Sequence, residues 1–189
     1  MGAENLLFPE MKAGPPGFIY RENFVTEEEE RTLAASLGGL DLKPFEFHGY
    51  LGNRRVASFG LEYDYERRSV EPASAMPPFM DDLLARVAEF AGCEREAFRQ
   101  VGVNEYRPGA AIGWHKDKPQ FGIVVGVSLL APATMRLRRA ESGRWTRISH
   151  IVLPRSVYVL SGEARSQWEH SIPPVSDLRY SITFRTLAG

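Results

Sequence analysis

A chain of 189 residues, 43% hydrophobic and 25% charged with a formal net charge of -1, is long enough to bury a core of its own, and its 11 Phe, 7 Tyr and 3 Trp are too much apolar surface to leave in water. No stretch approaches the roughly 20 uninterrupted apolar residues of a membrane span, and the opening MGAENLLFPEMKAGPPGF lacks the basic and apolar regions of a secretory signal. The lone Cys93 excludes a disulfide framework and a cysteine metal cluster, so the expectation is one cytoplasmic domain over residues 1–189, monomeric and away from membranes.

In chain order, a lead of Gly14-Pro15-Pro16-Gly17 precedes a short apolar strand from Phe18 to Tyr20. Thr26 followed by Glu29 makes a capping box, and the acidic first turn suits the helix dipole, so a helix runs to Leu37 and stops at Gly38-Gly39. A second helix is legible in PPFMDDLLARVAEFAG. Prolines open it, Phe79, Leu83, Leu84, Val87 and Phe90 recur at helical spacing, and Gly92 closes it. From residue 99 the texture changes to short β-type runs at Gln100–Arg107, Gly122–Leu130, Thr134–Arg139, Arg144–His150, Ser156–Ser161 and Arg179–Thr186, with Glu141-Ser142-Gly143 as a hairpin turn. The run IVVGVSLL is apolar on both faces, as a strand buried between layers is. Helices followed by many closely spaced strands predict an α+β fold, with helices packed on one face of a β-sandwich.

Charge is distributed unevenly. Residues 101–189 carry twelve Lys/Arg against six Asp/Glu, whereas the first hundred carry eleven against eighteen. Much of the basic excess lies in MRLRRAESGRWTRISHIVLPR, where Arg136, Arg138, Arg139, Arg144, Arg147 and Arg155 are accompanied only by Glu141. A basic face of this kind suits a polyanionic partner, and it suits a pair of solvated strands equally well.

Four histidines are present, and two of them carry the functional reading. In GWHKDK, His115 and Asp117 stand two residues apart, so on extended backbone imidazole and carboxylate project from one face and reach a single ion. His170, in QWEHSIPP, is the candidate third ligand. Two histidines and one carboxylate leave coordination positions open, as in non-haem Fe(II) oxygenases. In RYSITFRT, Arg179, Ser181, Thr183 and Arg185 share one face of a strand and Tyr180, Ile182 and Phe184 the other. Two inward guanidinium groups with no acidic residue in their own strand call for anionic company, and a small dicarboxylate fits their planar forks.

These residues, with Asn104-Glu105-Tyr106, Arg107-Pro108-Gly109, Ser128-Leu129-Leu130 and Ser161-Gly162-Glu163-Ala164-Arg165, resemble the AlkB-type Fe(II)/2-oxoglutarate dioxygenases over about residues 100–186. The resemblance implies a double-stranded β-helix (jelly-roll) core over residues 99–187, with helices buttressing one sheet. A weaker likeness upstream, in Asn53-Arg54-Arg55-Val56-Ala57-Ser58-Phe59-Gly60 and Tyr63-Asp64-Tyr65, implies a nucleotide-recognition lid over about residues 45–66. Carried over residue by residue, it makes His115, Asp117 and His170 the iron ligands. Arg179 would meet the distal carboxylate of 2-oxoglutarate, aided by Asn104 and Tyr106, and Arg185 would lie near the end that chelates iron. Dioxygen is the co-reactant, and oxidation of an N-methyl carbon on a base would release succinate, CO2 and formaldehyde.

For the substrate, Arg54, Arg55, Phe59, Tyr63 and Tyr65 interleave cations with aromatics, with Phe45, Phe47, His48 and Tyr50 just upstream. The mixture suits a base stacked on a ring with its phosphates held by arginine, and it suits ordinary core aromatics as well. Pro119 stands where DNA-repair members of the resembling family carry a second acidic residue, which bears on the choice of base. Three readings follow: a demethylase of alkylated DNA or RNA, a hydroxylase of a tRNA base or protein side chain, and a jelly-roll binding module that holds a metal without turnover. Trp114 and Trp168 flank the ligands as pocket walls or as core, and His150 receives no role.

Overall fold

The computed structural model describes residues 14–47, 50–64 and 66–189. In chain order, strand β1 (Phe18–Arg21) and helix α1 (Glu27–Gly38) are followed by β2 (Lys43–Phe47), β3 (Tyr50–Phe59), β4 (Leu61–Asp64) and β5 (Ser69–Pro72). Helix α2 (Asp81–Ala91) leads into β6 (Phe98–Tyr106), β7 (Ile112–His115), β8 (Phe121–Leu129), β9 (Ala133–Glu141), β10 (Arg144–Val152) and β11 (Ser156–Leu160). The short helix α3 (Gly162–Ser166), β12 (Glu169–Ile172) and β13 (Arg179–Leu187) complete the chain.

Both long helices end where the sequence marks them, and α1 begins there too, whereas the prolines open a 3-10 turn over Pro78–Met80 and α2 itself starts at Asp81. The Thr26 side chain accepts from the Glu29 amide at 3.2 Å while Glu29 Oε2 accepts from the Thr26 amide at 2.6 Å, so the capping box is closed. Helix α2 ends at Gly92, whose φ of 64° is left-handed backbone that a side chain resists.

The strands form two layers. A seven-stranded sheet runs β1-β11-β8-β13-β6-β3-β2, and a four-stranded sheet runs β10-β9-β12-β7; β4 and β5 make a separate hairpin. Every strand pairing among the described residues is antiparallel. Leu33, Leu37, Met80, Leu84 and Val87 from the helices pack with Val101, Val103, Val127, Ile182 and Phe184 on the outer face of the large sheet. Between the sheets lie Tyr106, Val124, Met135, Leu137, Tyr158 and Ile172. This is the jelly-roll sandwich with helices on one sheet that the sequence predicts.

The segment read as a lid is partly sheet. From Arg54 to Phe59, β3 pairs residue by residue with β6, from Arg54 opposite Tyr106 to Phe59 opposite Val101. His48 and Tyr65 lie outside the described residues. Among the described residues no helix is long and apolar enough to cross a membrane.

Candidate active site

The inner face of β13 and the small sheet close on one pocket. The pairing of β12 with β7 sets His170 directly opposite His115, because both strands present these residues to the interior in the same register. Asp117 follows two residues after His115 and turns the same way. The nitrogen and oxygen donors of His115, Asp117 and His170 all lie within 4.8 Å of one another, and the two imidazole centroids are 4.2 Å apart. Asp117 Oδ2 is 3.6 Å from His170 Nε2.

Electrostatics prepares these groups as ligands. His115 Nδ1 is 2.8 Å from the Gly113 carbonyl, which only accepts, so this nitrogen carries the proton and Nε2 keeps its lone pair for the interior. Burial lowers the pKa of His115, and burial with the neighbouring His115 brings His170 down to about 3, so both rings are neutral across the physiological range. Burial alone would raise Asp117, but the Arg185 guanidinium, joined in acid by the two imidazoles once they are protonated, outweighs it and holds the carboxyl well below the usual range. Two neutral nitrogens and one carboxylate, clustered and facing a pocket, fit a divalent ion such as ferrous iron with positions to spare.

Behind the triad the pocket is lined by Asn104, Tyr106, Tyr158, Arg179, Ser181 and Arg185, with Ile112, Val124, Met135 and Ile172 as apolar wall. Arg179 is 1% exposed. Its Nε donates to Ser128 Oγ at 3.0 Å and its guanidinium lies 5.0 Å from the Tyr106 ring centroid, yet Nη1 is buried without a hydrogen-bond acceptor. A buried cation with an unmet donor needs an anion from outside the chain. Arg185 differs. Its Nε donates to Asp117 Oδ1 at 2.8 Å and its Nη1 to Gln100 Oε1 at 2.7 Å.

The substrate candidates divide by the alternation of β3. Arg54, 8% exposed, reaches the pocket, donates to Asn104 Oδ1 at 3.0 Å and lies over the Phe45 ring at 4.4 Å. Arg55 points the other way, into a double ion pair with Glu105, and Phe59 packs into the helix-side core. The period of two along the strand therefore sets these two on the face opposite to that of Arg54. Tyr63, on the β4–β5 hairpin, sits under the Lys118 ammonium at 4.9 Å, next to Asp117. Trp168 is core, and Trp114 lies on the outer face of the small sheet under Arg136 and Arg138.

Three residues at the site had no role in the sequence reading. Ser128 orients Arg179, Gln100 holds Arg185, and Tyr158 forms a wall over Gly126, where an added Cβ would fall 2.1 Å from the tyrosine ring. The glycine inside the apolar run IVVGVSLL was the one available signal, since a strand interior without a side chain marks a close approach.

The family model of the 2OG-Fe(II) oxygenase superfamily matches residues 17–185. The chain belongs to this superfamily. Within it the oxygenase is AlkB-like: it is 31% identical over 151 residues to the alpha-ketoglutarate-dependent dioxygenase AlkB of Escherichia coli, covering 72% of this chain and 68% of that protein. It is 29% identical over 171 residues to mouse tRNA (carboxymethyluridine(34)-5-O)-methyltransferase ALKBH8, covering 87% of this chain and 25% of that protein, so the oxygenase spans about a quarter of that relative's length. The structure of OsALKBH1 superposes with a TM-score of 0.67 at 16% identity, over 94% of this chain and all of that one, which shows the shared fold. The chemistry of this superfamily uses Fe(II), 2-oxoglutarate and O2.

Proposed function

We propose that the oxygenase hydroxylates an alkyl carbon carried by a nucleic-acid base, with His115, Asp117 and His170 holding Fe(II) and Arg179 gripping the distal carboxylate of 2-oxoglutarate. The observation that carries the reading is the pairing of the donor cluster with the buried, half-satisfied Arg179 in one pocket. When bound, iron and cosubstrate supply the oxidising power, with 2-oxoglutarate converted to succinate and CO2 as dioxygen is consumed.

The chain's own residues do the rest. Ser128 and Tyr106 fix the Arg179 fork, and Arg185 with Gln100 holds Asp117 ionised and aimed inward. Ile112, Val124, Met135 and Ile172 exclude water from the reacting carbon. In this reading Arg54, which lines the pocket, supplies a cation and Tyr63, beneath Lys118, supplies a ring for the base. Oxidation of an N-methyl carbon gives a hemiaminal that collapses to the free base and formaldehyde.

A second reading is hydroxylation of a tRNA base that keeps its carbon. The similarity to a relative named for tRNA uridine modification favours it, as does Pro119 in place of a second carboxylate. The nucleic acid partner and cytoplasmic setting belong to both readings.

Anaerobic addition of Fe(II) and 2-oxoglutarate should give a weak visible charge-transfer band. In air, methylated oligonucleotides should then release succinate and formaldehyde in equal amounts. Succinate with tRNA but no formaldehyde would select the second reading. Succinate release that no nucleic acid raises above the uncoupled background would overturn both.

A further inference from the structure

The solvent face of the four-stranded sheet, opposite the active site, carries a cation–aromatic row. Alternation along β9 and β10 and the register Arg147 opposite Arg138 set Arg136, Arg138, Trp145 and Arg147 on this outer face, while Met135 and Leu137 go into the core. The Arg138 guanidinium is sandwiched between Trp114 at 4.3 Å and Trp145 at 4.2 Å, and Arg136 lies 5.2 Å from Trp114. Glu169 is the carboxylate of the row, paired with Arg138 at 2.6 Å.

This face is not arranged for stability alone. Like charges directly opposite on neighbouring strands repel, yet Arg147 faces Arg138. Trp145 leaves 43% of its surface in water, and Arg147 is exposed with no acidic partner among the described residues. Arg139, next in sequence, is bound up with Glu163, Glu141 and Gln167, so the row is built from selected arginines rather than from the whole basic stretch. Trp114 immediately precedes His115, so β7 carries the row on one face and a pocket histidine on the other.

We propose that this row is a docking track for single-stranded nucleic acid, with bases stacking on Trp145 and phosphates meeting Arg147 and Arg136. The inference rests on nucleic acid as the substrate class and names a second surface that holds the strand outside the pocket. Charge complementarity selects a polyanion, and the exposed indole selects one with unpaired bases.

The test uses the whole protein without iron or oxygen, so that turnover does not enter, and reads the Kd of a fluorescent unmodified 15-nucleotide RNA by anisotropy across a salt series. Trp145→Ala should weaken binding about tenfold. Arg147→Ala should reduce the slope of log Kd against log salt by about one, and Arg147→Glu should weaken binding further. Arg31→Glu, the same charge reversal on the exposed side of α1, should leave Kd within twofold. Circular dichroism and the melting temperature check that each variant is folded. An unchanged Kd in both Trp145→Ala and Arg147→Glu would overturn the track. So would equal affinity for a duplex or for polyglutamate, since neither offers free bases. Loss of RNA binding in these variants stands even where succinate assays reject nucleic acid as the substrate, which keeps the two readings separable.

Discussion

Arg185 Nε donates to Asp117 Oδ1 at 2.8 Å from the neighbouring face of β13, which makes the arginine the main electrostatic partner of the carboxylate in the donor cluster. The family resemblance implies a place for Arg185 beside the chelating end of the cosubstrate, and in the structure its hydrogen-bond partners are Asp117 and Gln100. It acts as a positioning residue. Arg185→Ala should therefore lower Fe(II) affinity by about 10- to 100-fold, the usual loss when a ligand's orienting partner is removed. Isothermal titration with Fe(II) under argon measures this, and Arg185→Lys should recover part of it. Unaltered iron affinity in Arg185→Ala would show that Asp117 is held by the fold alone.

Gly126 and Tyr158 define the pocket from below. With Tyr158 carbons 2.1 and 2.4 Å from where a Cβ would stand, Gly126→Ala must push the ring away from β8, into the space that Arg179 and Val124 line. The expected outcome is a raised Kd for 2-oxoglutarate with iron affinity little changed. A second variant, Gly126→Ala with Tyr158→Phe, removes the hydroxyl that collides at 2.4 Å and should restore part of the affinity. A cosubstrate titration followed by the charge-transfer band decides it.

Arg165 ties the loop that carries Asp117 to helix α3. Its guanidinium donates to the carbonyls of Lys118 at 2.6 Å, Phe121 at 2.6 Å and Gly122 at 2.9 Å, all within five residues of Asp117. Lysine has one nitrogen and cannot span three carbonyls. Arg165→Lys should thus cost about 2–3 kcal/mol of unfolding free energy, measured by urea denaturation, and should lower iron affinity as the loop loosens. A variant as stable as the parent would remove this link from the account.

Much of this architecture is legible in the chain. Thr26 and Glu29 announce α1, Gly92 closes α2, and the alternation in RYSITFRT separates pocket arginines from core Tyr180, Ile182 and Phe184. His115 and Asp117 are legible because extended backbone puts alternate residues on one face. The partners are not. Ser128 and Gln100 become visible only when β8 and β6 are brought beside β13, across 51 and 85 residues of separation, and Tyr158 only when β11 is brought beside β8; that antiparallel register is set by the whole sandwich. The same limit explains Arg54 and Arg55. Adjacent in sequence and alike in chemistry, they are assigned to opposite faces by the pairing of β3 with β6, one into the pocket and one to Glu105.

Glu105 is one carboxylate through which this fold should lose stability in acid. Its carboxylate, 3% exposed, accepts from Arg55 at 2.7 Å through both oxygens, from Arg107 at 2.9 Å and from the Tyr180 hydroxyl at 3.1 Å. The hydrogen bond from Arg55 leads the effects that lower its pKa below the ordinary 4.5, with burial opposing. The unfolded chain therefore binds this proton at a higher pH than the folded one does. The stabilisation is complete above about 4.5 and drains away as pH falls through the depressed folded value. Glu105→Gln cannot titrate, so its stability should fall less steeply than the parent's between pH 5 and pH 3, after starting lower at neutral pH because one charge-assisted acceptor is lost. Urea midpoints taken at half-unit steps of pH give both slopes. Parallel slopes for parent and variant would mean that the proton taken up on acid unfolding goes to another carboxylate, with Asp117 the next to test because its folded pKa is depressed as well.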